Sequence, residues 1–568
     1  MDNAEISKIL FNISFLMDLD EGDSFRIESY AKAARAIEVS TIPMNKSTTE
    51  KELQRINGIG KGIAKHVKEI LDTGTTEVYE ELKQKVPGGF LDILRIPGLG
   101  PKRIKILYKE LGIDSLEMLE EACKKNRVAS LAGMGMKTQE NIVKGIANVK
   151  EYQNKYKYFP TIELAESILQ QLLTLPNVIR AEFAGSIRRR KEIVKDLDIV
   201  LASDDPIAVI NAFVQFPEVI EIVAKGDTKA SVKLVNGINA DLRVVSNIEY
   251  PYTLMYFTGS KAHNIALRTE AIRQGYKLNE YGLFDSEDNL VELPTEGAVF
   301  NLLGMLYIPP ELRENTGEVS QVVIPTLIEE SDIKGMLHVH TKDSDGSDSI
   351  AGIALFLRER SYTYLGIADH SQSATYANGL SKNRLAIQGR EIDRLNANSS
   401  FKIFKGVECD ILKEGSLDYM DADFKELKLD FVIASVHTNF GLSEEDQTNR
   451  LIRAIENPYT TILGHPTGRL LLQREPYAVN MDKVIRACAA NKVALEINCL
   501  PDRLDLDWRY CKYAKELGCK FAINTDAHVM DNFRFINLGI GIAKKGWLTK
   551  ADVINTYTIE EFERWIRK

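Results

Sequence analysis

The spacing of apolar residues divides the chain into regions of different predicted structure. In residues 1–150, apolar positions recur every three or four residues between glycine turns, which predicts an all-α domain. In residues 151–315, two apolar strands that carry aspartates precede helical stretches, which predicts an α+β domain. Residues 316–332 are polar with one short apolar run, and we predict a linker there. In residues 333–568, short apolar runs alternate with helical stretches, which predicts a parallel sheet or barrel.

Three glycine turns in the first region share one pattern of apolar residue, spacer, Gly-x-Gly and a helix with a nearby lysine. The residues that the pattern singles out are Gly58, Gly60, Gly98, Gly100, Lys102, Gly133 and Gly135. Glycine allows the backbone to approach an anion closely, and the free N–H groups that open a helix attract it. The turns resemble helix-hairpin-helix motifs, which bind the DNA backbone without reading its sequence. The alternative for each turn alone is a tight connection between helices.

Two aspartates of the second region lie on one predicted strand. Asp196 and Asp198 are two residues apart, so both carboxylates point to one face, and Asp241 lies on a second apolar strand. Carboxylates on a buried strand are costly unless cations neutralise them. Three converging aspartates can hold two Mg²⁺ or Mn²⁺ ions, which activate an attacking hydroxyl and stabilise a leaving group. We take the three aspartates as candidate catalytic and metal-binding residues.

A small loop before these aspartates is suited to phosphate. Gly185 and Ser186 offer an N–H and a hydroxyl group to terminal phosphates, and Arg189 can neutralise them. An Asp-x-Asp pair alone is common on solvated strands. Its combination with Gly-Ser before it and an aspartate on a later strand resembles the nucleotidyltransferase superfamily.

The segment from Tyr256 to Ser260 and the helix after it narrow this resemblance. Together with the run 278–283 they resemble the fingers and thumb of DNA polymerase beta and its relatives, the family X polymerases. The resemblance implies that Tyr256 and Phe257 pack under the nucleotide sugar. It also implies that Asn264 contacts the base and that Arg268 contacts the template strand. The nucleotide-binding residues so implied are Gly185, Ser186, Arg189, Tyr256, Phe257, Gly259, Ser260, Asn264 and Arg268. Singly, each has an ordinary alternative as a core residue or part of a solvated helix face.

The same resemblance extends to the first domain. Arg26 and Tyr30 match positions that bind a 5′-phosphate in the lyase domain of polymerase beta. His66 stands where that lyase has its Schiff-base lysine, and Lys65 and Lys68 are predicted to lie on other helix faces. An imine needs a primary amine. We therefore predict 5′-phosphate binding with weak or absent lyase activity.

Histidines concentrate in the last region. Six of the eight histidines of the chain lie there, each at or just after a predicted strand end, and three acidic residues share such positions. The nine residues are His338, His340, Asp345, His370, Glu408, His437, His465, Asp526 and His528. Barrels of parallel strands place their chemistry at the carboxyl ends of the strands. A single histidine would more simply be a satisfied core or surface residue, but that explains six poorly.

This set resembles the polymerase-and-histidinol-phosphatase (PHP) family, whose nine ligand positions are all filled here. The resemblance implies a distorted (β/α) barrel with up to three metal ions. One would be held by His338, His340, Glu408 and Asp526. A second would be shared by Glu408 with His437 and His465. A third would be held by Asp345, His370 and His528. Imidazole and carboxylate ligands without thiolate suit Mn²⁺, Zn²⁺ or Fe²⁺.

Composition narrows the setting. The net charge is −9, which excludes indiscriminate nucleic-acid binding, so DNA contacts have to be local. The six cysteines form no CxxC pair, no apolar run reaches about 18 residues, and the N-terminus is acidic and unlike a signal peptide. These features predict a cytoplasmic, nucleoid-associated bacterial protein without membrane contact, and a monomer by default.

Together the regions predict a bacterial-type family X DNA polymerase that fills short gaps in DNA repair, with gapped or nicked duplex and deoxynucleoside triphosphates as partners. Its PHP domain would act as a 3′→5′ exonuclease, a 3′-phosphatase or an abasic-site endonuclease. One alternative is a PHP domain that binds metals for stability only. Another is a nucleotidyltransferase for RNA or small molecules with a phosphatase attached.

Overall fold

The first 153 residues and the remaining residues form two compact units in a computed structural model. The structure describes residues 3–38, 44, 46–56, 58–321, 323–397 and 399–567. Asn57, the spacer of the first glycine turn, and Val322, in the predicted linker, lie outside the described residues. Within that described part, no helix is long and apolar enough to cross a bilayer.

The first unit is helical throughout, as its apolar spacing predicts. Its helices are α1 (Asn3–Leu19), α2 (Ser24–Glu38), α3 (Glu50–Leu53), α4 (Lys61–Thr73), α5 (Glu77–Lys85), α6 (Gly89–Leu94), α7 (Pro101–Leu111), α8 (Leu116–Lys124) and α9 (Met136–Tyr152). One apolar cluster, from Ile6 to Val149, holds them together. The glycine turns open three of these helices, α4, α7 and α9.

The second unit begins with an α+β region built on a five-stranded sheet. Its elements are β1 (Tyr156–Lys157), α10 (Tyr158–Leu173), β2 (Val178–Phe183), α11 (Gly185–Arg188), β3 (Ile193–Val194), β4 (Asp196–Ser203), α12 (Pro206–Phe213), β5 (Val219–Lys225), β6 (Lys229–Leu234), β7 (Asn239–Val245), α13 (Tyr250–Thr258), α14 (Lys261–Arg273), β8 (Lys277–Leu278), β9 (Leu283–Phe284) and α15 (Glu296–Leu302). The strand order is β2-β4-β7-β6-β5, and β4 and β7 are parallel neighbours. This pairing brings the two aspartate-bearing strands side by side.

The rest of this unit is a ring of parallel strands with helices around it. Its elements are β10 (Gly335–Met336), α16 (Ile350–Glu359), β11 (Tyr364–Ile367), α17 (Lys382–Asn396), β12 (Lys402–Lys405), β13 (Glu408–Asp410), α18 (Asp421–Leu427), β14 (Ile433–Ser435), α19 (Glu444–Glu456), β15 (Ile462–Leu463), α20 (Met481–Asn491), β16 (Ala494–Asn498), α21 (Trp508–Glu516), β17 (Phe521–Asn524), α22 (Ile536–Lys545) and α23 (Ile559–Ile566). Two parallel sheets, β10-β11-β12 and β13 through β17, are joined by bridges between Val339 and Ala527 and between His370 and Glu408. All carboxyl ends of the strands therefore face one end of the barrel.

The predicted linker packs against both neighbouring regions. Glu318 is buried, with its Oε1 2.8 Å from Nδ1 of His263 on α14. Leu327 joins the apolar cluster of the α+β region, and the next residue, Ile328, joins the barrel core. Leu327 and Ile328 of the predicted linker are thus buried in two different cores, whereas Val323 is 67% exposed. The domain boundaries at residues 150, 315 and 332 stay predictions.

Candidate active sites

The three glycine turns adopt one shared conformation. The first glycines, Gly58, Gly98 and Gly133, have φ of 97°, 84° and 77°, a region that favours glycine. The second glycines cap α4, α7 and α9 in an extended conformation and are Gly60, Gly100 and Gly135. A Cβ atom added at any of these three caps would meet no atom within 4 Å. Internal packing therefore does not require glycine at the caps, whereas close approach of an outside anion does.

A cavity of about 710 Å³ lies beside the first glycine turn. Arg26, Tyr30 and His66 line it, and the hydroxyl of Tyr30 is 2.7 Å from Nδ1 of His66. Burial lowers the pKa of His66, so the ring is neutral near pH 7. Lys68 points elsewhere, since its Nζ bonds a carboxylate oxygen of Asp72 at 2.8 Å. The cavity thus holds an imidazole and a guanidinium among its lining groups.

The register of β4 and β7 brings the predicted aspartates together. Asp198 lies opposite Asp241, and Asp196 is on the same face two residues earlier. Gly185 packs so closely that a Cβ there would lie 2.0 Å from Oδ2 of Asp198, and its φ is +57°. Ser231 on β6, which the sequence reasoning missed, donates a hydrogen bond to Asp241. The sequence feature that could have indicated Ser231 is the alternation of polar and buried residues along β6, the strand that pairs with β7.

The electrostatics of these carboxylates favour added cations. Burial, followed by the charges of Asp196 and Asp241, raises the pKa of Asp198 to about 7. Burial and Asp241 also raise the pKa of Asp196. Neither shift is overcome by the nearby arginines. The site therefore carries more negative charge than its own positive groups neutralise, which fits divalent ions.

Two cavities flank the aspartates. One, of about 600 Å³, is lined by all nine predicted nucleotide-binding residues: Gly185, Ser186, Arg189, Tyr256, Phe257, Gly259, Ser260, Asn264 and Arg268. The other, of about 410 Å³, lies on the far side of Asp198 and Asp241 and includes Lys225, Lys229 and Arg243. The two cavities thus share Asp198 in their linings.

Several of the predicted nucleotide contacts already have partners inside the protein. Nε of Arg189 donates to Oε1 of Glu314 at 3.0 Å, and its Nη1 donates to the carbonyl of Thr258. Nδ2 of Asn264 donates to the carbonyl of Tyr256 at 2.7 Å. Arg268 lines the cavity one helical turn further on. Arg189 therefore lines the cavity and at the same time forms an ion pair with Glu314 inside the protein.

The nine predicted ligands of the last region meet at the carboxyl end of the barrel. Glu408 lies at their centre, with carboxylate oxygens 2.9 Å from His370, 3.1 Å from His465 and 3.3 Å from His437. The compact groups with metal-ligand spacing are His340 with Asp345, His370 and His528; His338 with His340 and Asp526; and His370 with Glu408 and His437. The geometry thus brings His340 and His370 each into two groups, which the predicted partition into three sets did not include.

Buried atoms in this cluster lack hydrogen-bond partners among the described residues. They include Nε2 of His338, Nδ1 of His340, Nδ1 of His465 and Oε2 of Glu408. Such groups are costly to bury unless something binds them. His465 and Asp526 also have positive φ values of 24° and 50°, which L-residues adopt at a cost. The donor set and the strained backbone both fit metal ions.

A second layer of acidic residues orients the histidines. Oε1 of Glu496 lies 2.6 Å from Nδ1 of His338, and Asp410 bonds Nδ1 of His437. Although burial opposes protonation, Glu408 and Asp410 raise the pKa of His437 to about 10. The sequence reasoning missed Glu496 and Asp410. A carboxylate inside an otherwise apolar strand, such as Glu496 in residues 494–498, was the available signal.

An aromatic side chain stands at the mouth of this cluster. Tyr376 is 67% exposed, and its ring centre lies 6.2 Å from that of His370 and 6.4 Å from that of His437. A single exposed ring is common on protein surfaces, but this one lies beside two of the predicted metal ligands. The position suits contact with a planar group of a bound molecule.

The fold and the two clusters define a two-centre enzyme, in which a polymerase-beta-like nucleotidyltransferase continues into a parallel barrel with a histidine and carboxylate centre. Family models described as a helix-hairpin-helix domain and a SAM-like helix-hairpin-helix tandem match residues 1–76 and 90–148. A model described as the DNA polymerase beta thumb matches residues 253–314. The predicted fold class is confirmed by these matches together with the sheets.

Among curated proteins, the DNA polymerase/3′-5′ exonuclease PolX of Bacillus subtilis (strain 168) is 37% identical over 574 residues, covering 100% of both chains. A probable phosphatase of Thermoanaerobacter sp. (strain X514) is 34% identical over 165 residues, 27% of this chain and 64% of its own. Rat DNA polymerase lambda is 24% identical over 330 residues, 52% of this chain and 53% of its own. The chain belongs to the PolX family of family X DNA polymerases with 3′-5′ exonuclease. Divalent metal ions, DNA and deoxynucleoside triphosphates go with that family.

Proposed function

We propose that this chain fills short gaps in DNA, adding deoxynucleotides at the three aspartates and trimming 3′ ends at the barrel cluster. The observation that carries the polymerase half is the register that sets Asp198 opposite Asp241, with Asp198 lining both the cavity of about 600 Å³ and the basic cavity of about 410 Å³. Divalent ions, for which Mg²⁺ or Mn²⁺ are suited, supply the charge neutralisation that transfer of a phosphoryl group needs.

The residues around the aspartates have separate tasks in this proposal. Ser186 and Arg189 bind the terminal phosphates of the incoming nucleotide. Tyr256 and Phe257 support its sugar, and Asn264 contacts its base. Gly185 has to remain glycine, because any side chain would displace the carboxylate of Asp198. Ser231 holds Asp241 in place through its hydroxyl group.

The barrel cluster is proposed to hydrolyse phosphodiesters at a DNA 3′ end, with Mn²⁺ or Zn²⁺ bound by the nine ligands. Glu408 would be shared between ions, since five histidines surround it: His338, His340, His370, His437 and His465. Glu496 and Asp410 hold His338 and His437 in the orientation that ligation needs. Tyr376 favours DNA over a small phosphomonoester as substrate, because its exposed ring can stack on a terminal base.

The first unit is proposed to hold the other side of the gap. The glycine turns would bind the DNA backbone without sequence preference. Arg26 and Tyr30 would bind a 5′-phosphate in the cavity of about 710 Å³. His66 cannot form an imine, so we expect no borohydride-trapped adduct on 5′-deoxyribose phosphate DNA that depends on Lys65 or Lys68.

The test uses a 5′-labelled primer on a one-nucleotide-gap duplex with Mn²⁺, with and without the four deoxynucleotides. We expect the wild-type chain to extend the primer with nucleotides and to shorten it without them. Asp196→Ala/Asp198→Ala should lose extension only, and His340→Ala should lose shortening only. A wild-type chain that never shortens the primer would contradict the proposed exonuclease activity and favour a barrel that binds metals for stability only.

A further inference from the structure

A short loop joins the nucleotide cavity to the barrel. Arg189, Arg190 and Lys191 follow α11, and Arg189 and Lys191 line the cavity of about 600 Å³. Nη1 of Arg190 donates to the carbonyl of Asn537 on α22 at 3.0 Å. On the same helix, a Cβ added at Gly541 would come within 3.0 Å of the Arg190 side chain. Helix α22 of the barrel therefore packs directly on the loop that forms one wall of the polymerase site.

Lys545, the last residue of α22, is the charged contact in this interface. Its side chain is fully buried, and its Nζ donates to the carbonyl of Arg189 at 3.0 Å and to Oε1 of Glu314 at 2.8 Å. Both partners belong to the polymerase region. A buried ammonium is costly unless it is paired and hydrogen-bonded. The cost of burying this ammonium is thus offset by Glu314 and the carbonyl of Arg189, and within the barrel by the ring of Trp508, whose centre lies 4.7 Å from Nζ.

Several cations share the carboxylate of Glu314. Nε of Arg189 lies 3.0 Å from the same Oε1 that Lys545 binds, and Nζ of Lys191 lies 3.6 Å from Oε2. Burial opposes ionisation of this carboxylate, but the charges of Lys545 and Arg189 overcome it and lower the pKa of Glu314. The carboxylate is therefore charged near neutral pH. It competes for Arg189 with any phosphate that enters the cavity.

We propose that Lys545 is a positioning residue of the polymerase site, which partly neutralises Glu314 and so leaves the guanidinium of Arg189 available to an incoming triphosphate. This inference rests on the proposed role of Arg189 in binding the nucleotide. Without Lys545, the charge of Glu314 acts on Arg189 with less competition in a poorly solvated interface, where ion pairs are strong. In this proposal, the barrel affects the affinity for the nucleotide through the contact of Lys545 with Glu314, and the metal ligands of the barrel are not involved.

The experiment measures KM and kcat for the deoxynucleotide in single-gap filling by the full chain. Lys545→Met keeps the length of the side chain and removes its charge. We expect a rise in KM of about 10-fold or more, the size of one charged hydrogen bond, with kcat changed less than about twofold. Lys544→Met is the matched control, because Lys544 is the adjacent residue and its Nζ bonds Glu329 at 2.6 Å, away from the nucleotide cavity. We expect its KM to match the wild type.

The double variant Glu314→Gln/Lys545→Met separates positioning from structural damage. It removes the competing carboxylate together with its partner, so we expect its KM to return to within about threefold of the wild type. Shortening of the primer by the barrel, measured on the same preparations, should stay unchanged in all three variants.

Two results would overturn the inference. One is an unchanged KM in Lys545→Met. The other is a double variant as impaired as the single one, which would mean that Lys545 only supports the fold. A wild-type chain that cannot extend the primer would instead overturn the proposed polymerase function, so the two failures are distinguishable. If Lys545→Met loses both activities by unfolding, the double variant, which leaves no buried carboxylate without its lysine, still gives the decisive KM.

Discussion

The aspartate centre and the barrel centre both bury carboxylates, but the pKa of the central carboxylate is shifted in opposite directions in the two centres. Among the described residues, the charges of Arg189 and Arg243 do not outweigh burial and the charges of Asp196 and Asp241, which raise the pKa of Asp198 to about 7. In the barrel, burial also opposes ionisation of Glu408, but surrounding histidines hold the pKa of Glu408 well below its usual range. The barrel centre is thus assembled by its own side chains. The aspartate centre is completed only when cations neutralise it.

The difference has a consequence for order of assembly. A site whose ligands are oriented by a second layer of carboxylates, as His338 is by Glu496, retains its geometry between turnovers. For the three carboxylates on two strands, we expect weaker binding of ions, which can enter together with a nucleotide. The contrast predicts separable responses of the two activities to substitution and to pH.

The largest expected effects come from the central carboxylate of each centre. Asp198→Asn should lower primer extension more than about 100-fold, because it removes charge that the transferred group's counter-ions need, and should leave primer shortening intact. Asp204→Asn is the control, since this exposed residue directly follows β4. Gap filling and shortening on the same labelled duplex measure both. Loss of both activities in Asp198→Asn would contradict independent centres.

Glu408→Gln is the counterpart in the barrel. Loss of a partner of a ligand lowers activity by about 100-fold at most, and we expect Glu408→Gln to lower primer shortening by more than that. The reason is that Glu408 contacts at least one histidine of each of the three groups, through His340 and His370. Extension should be unchanged. Bound metal is counted by elemental analysis of the purified chain, with Glu414→Gln on an exposed loop as the control. An unaltered metal content would contradict the proposal that Glu408 is a shared metal ligand.

Substitution of the orienting residue should have a smaller effect than loss of a ligand. Glu496→Gln keeps the shape but weakens the hold on His338, so we expect shortening and Mn²⁺ affinity to fall about 10- to 100-fold. Calorimetric titration of metal-free protein with Mn²⁺ gives the affinity. Glu516→Gln, exposed at the end of α21, should bind Mn²⁺ like the wild type. Equal effects in the two variants would mean that Glu496 has no orienting role.

The aromatic ring at the mouth of the barrel should distinguish DNA from small substrates. Tyr376→Ala should raise the KM for an oligonucleotide at least about fivefold, the lower limit for one base stacked on an aromatic ring. Tyr376→Phe keeps the ring and should behave like the wild type. Hydrolysis of bis(p-nitrophenyl) phosphate, assayed beside it, should be unchanged in both. A matching loss on the small ester would show that the ring supports the metal cluster instead.

The smallest expected effect is on stability and tests the charge contrast directly. Because the folded-state pKa of Asp198, about 7, exceeds the ordinary value of 3.8, the folded metal-free chain binds an extra proton and loses stability as pH rises between these values. Asp198→Asn lacks this penalty. In the presence of a chelator, the thermal unfolding midpoint of Asp198→Asn minus that of the wild type should therefore increase from pH 4 to pH 7. Saturating Mn²⁺ should narrow the gap at pH 7, and a constant gap across this range would contradict the raised pKa.

The sequence by itself determined the helical first unit, the parallel ring and the candidate residues that the structure brings together. Glycines at the caps of α4, α7 and α9 and ligands after strand ends are local features, because backbone conformation and strand direction follow from nearby residues. The two residues Asp196 and Asp198 share a face simply because side chains alternate along a strand. The family resemblance is confirmed by the full-length match with PolX.

Only the tertiary structure decided which distant residues meet. Glu496 approaches His338 across 158 positions of the chain, and Lys545 approaches Glu314 across 231. The spacing of apolar residues along the chain does not indicate such pairs, because they depend on how strands and helices are arranged in space. For the same reason, the sequence did not indicate that Leu327 and Ile328, within the predicted linker, are buried in two different cores. Local patterns fix the elements and their chemistry, whereas long-range packing fixes the partners that tune them.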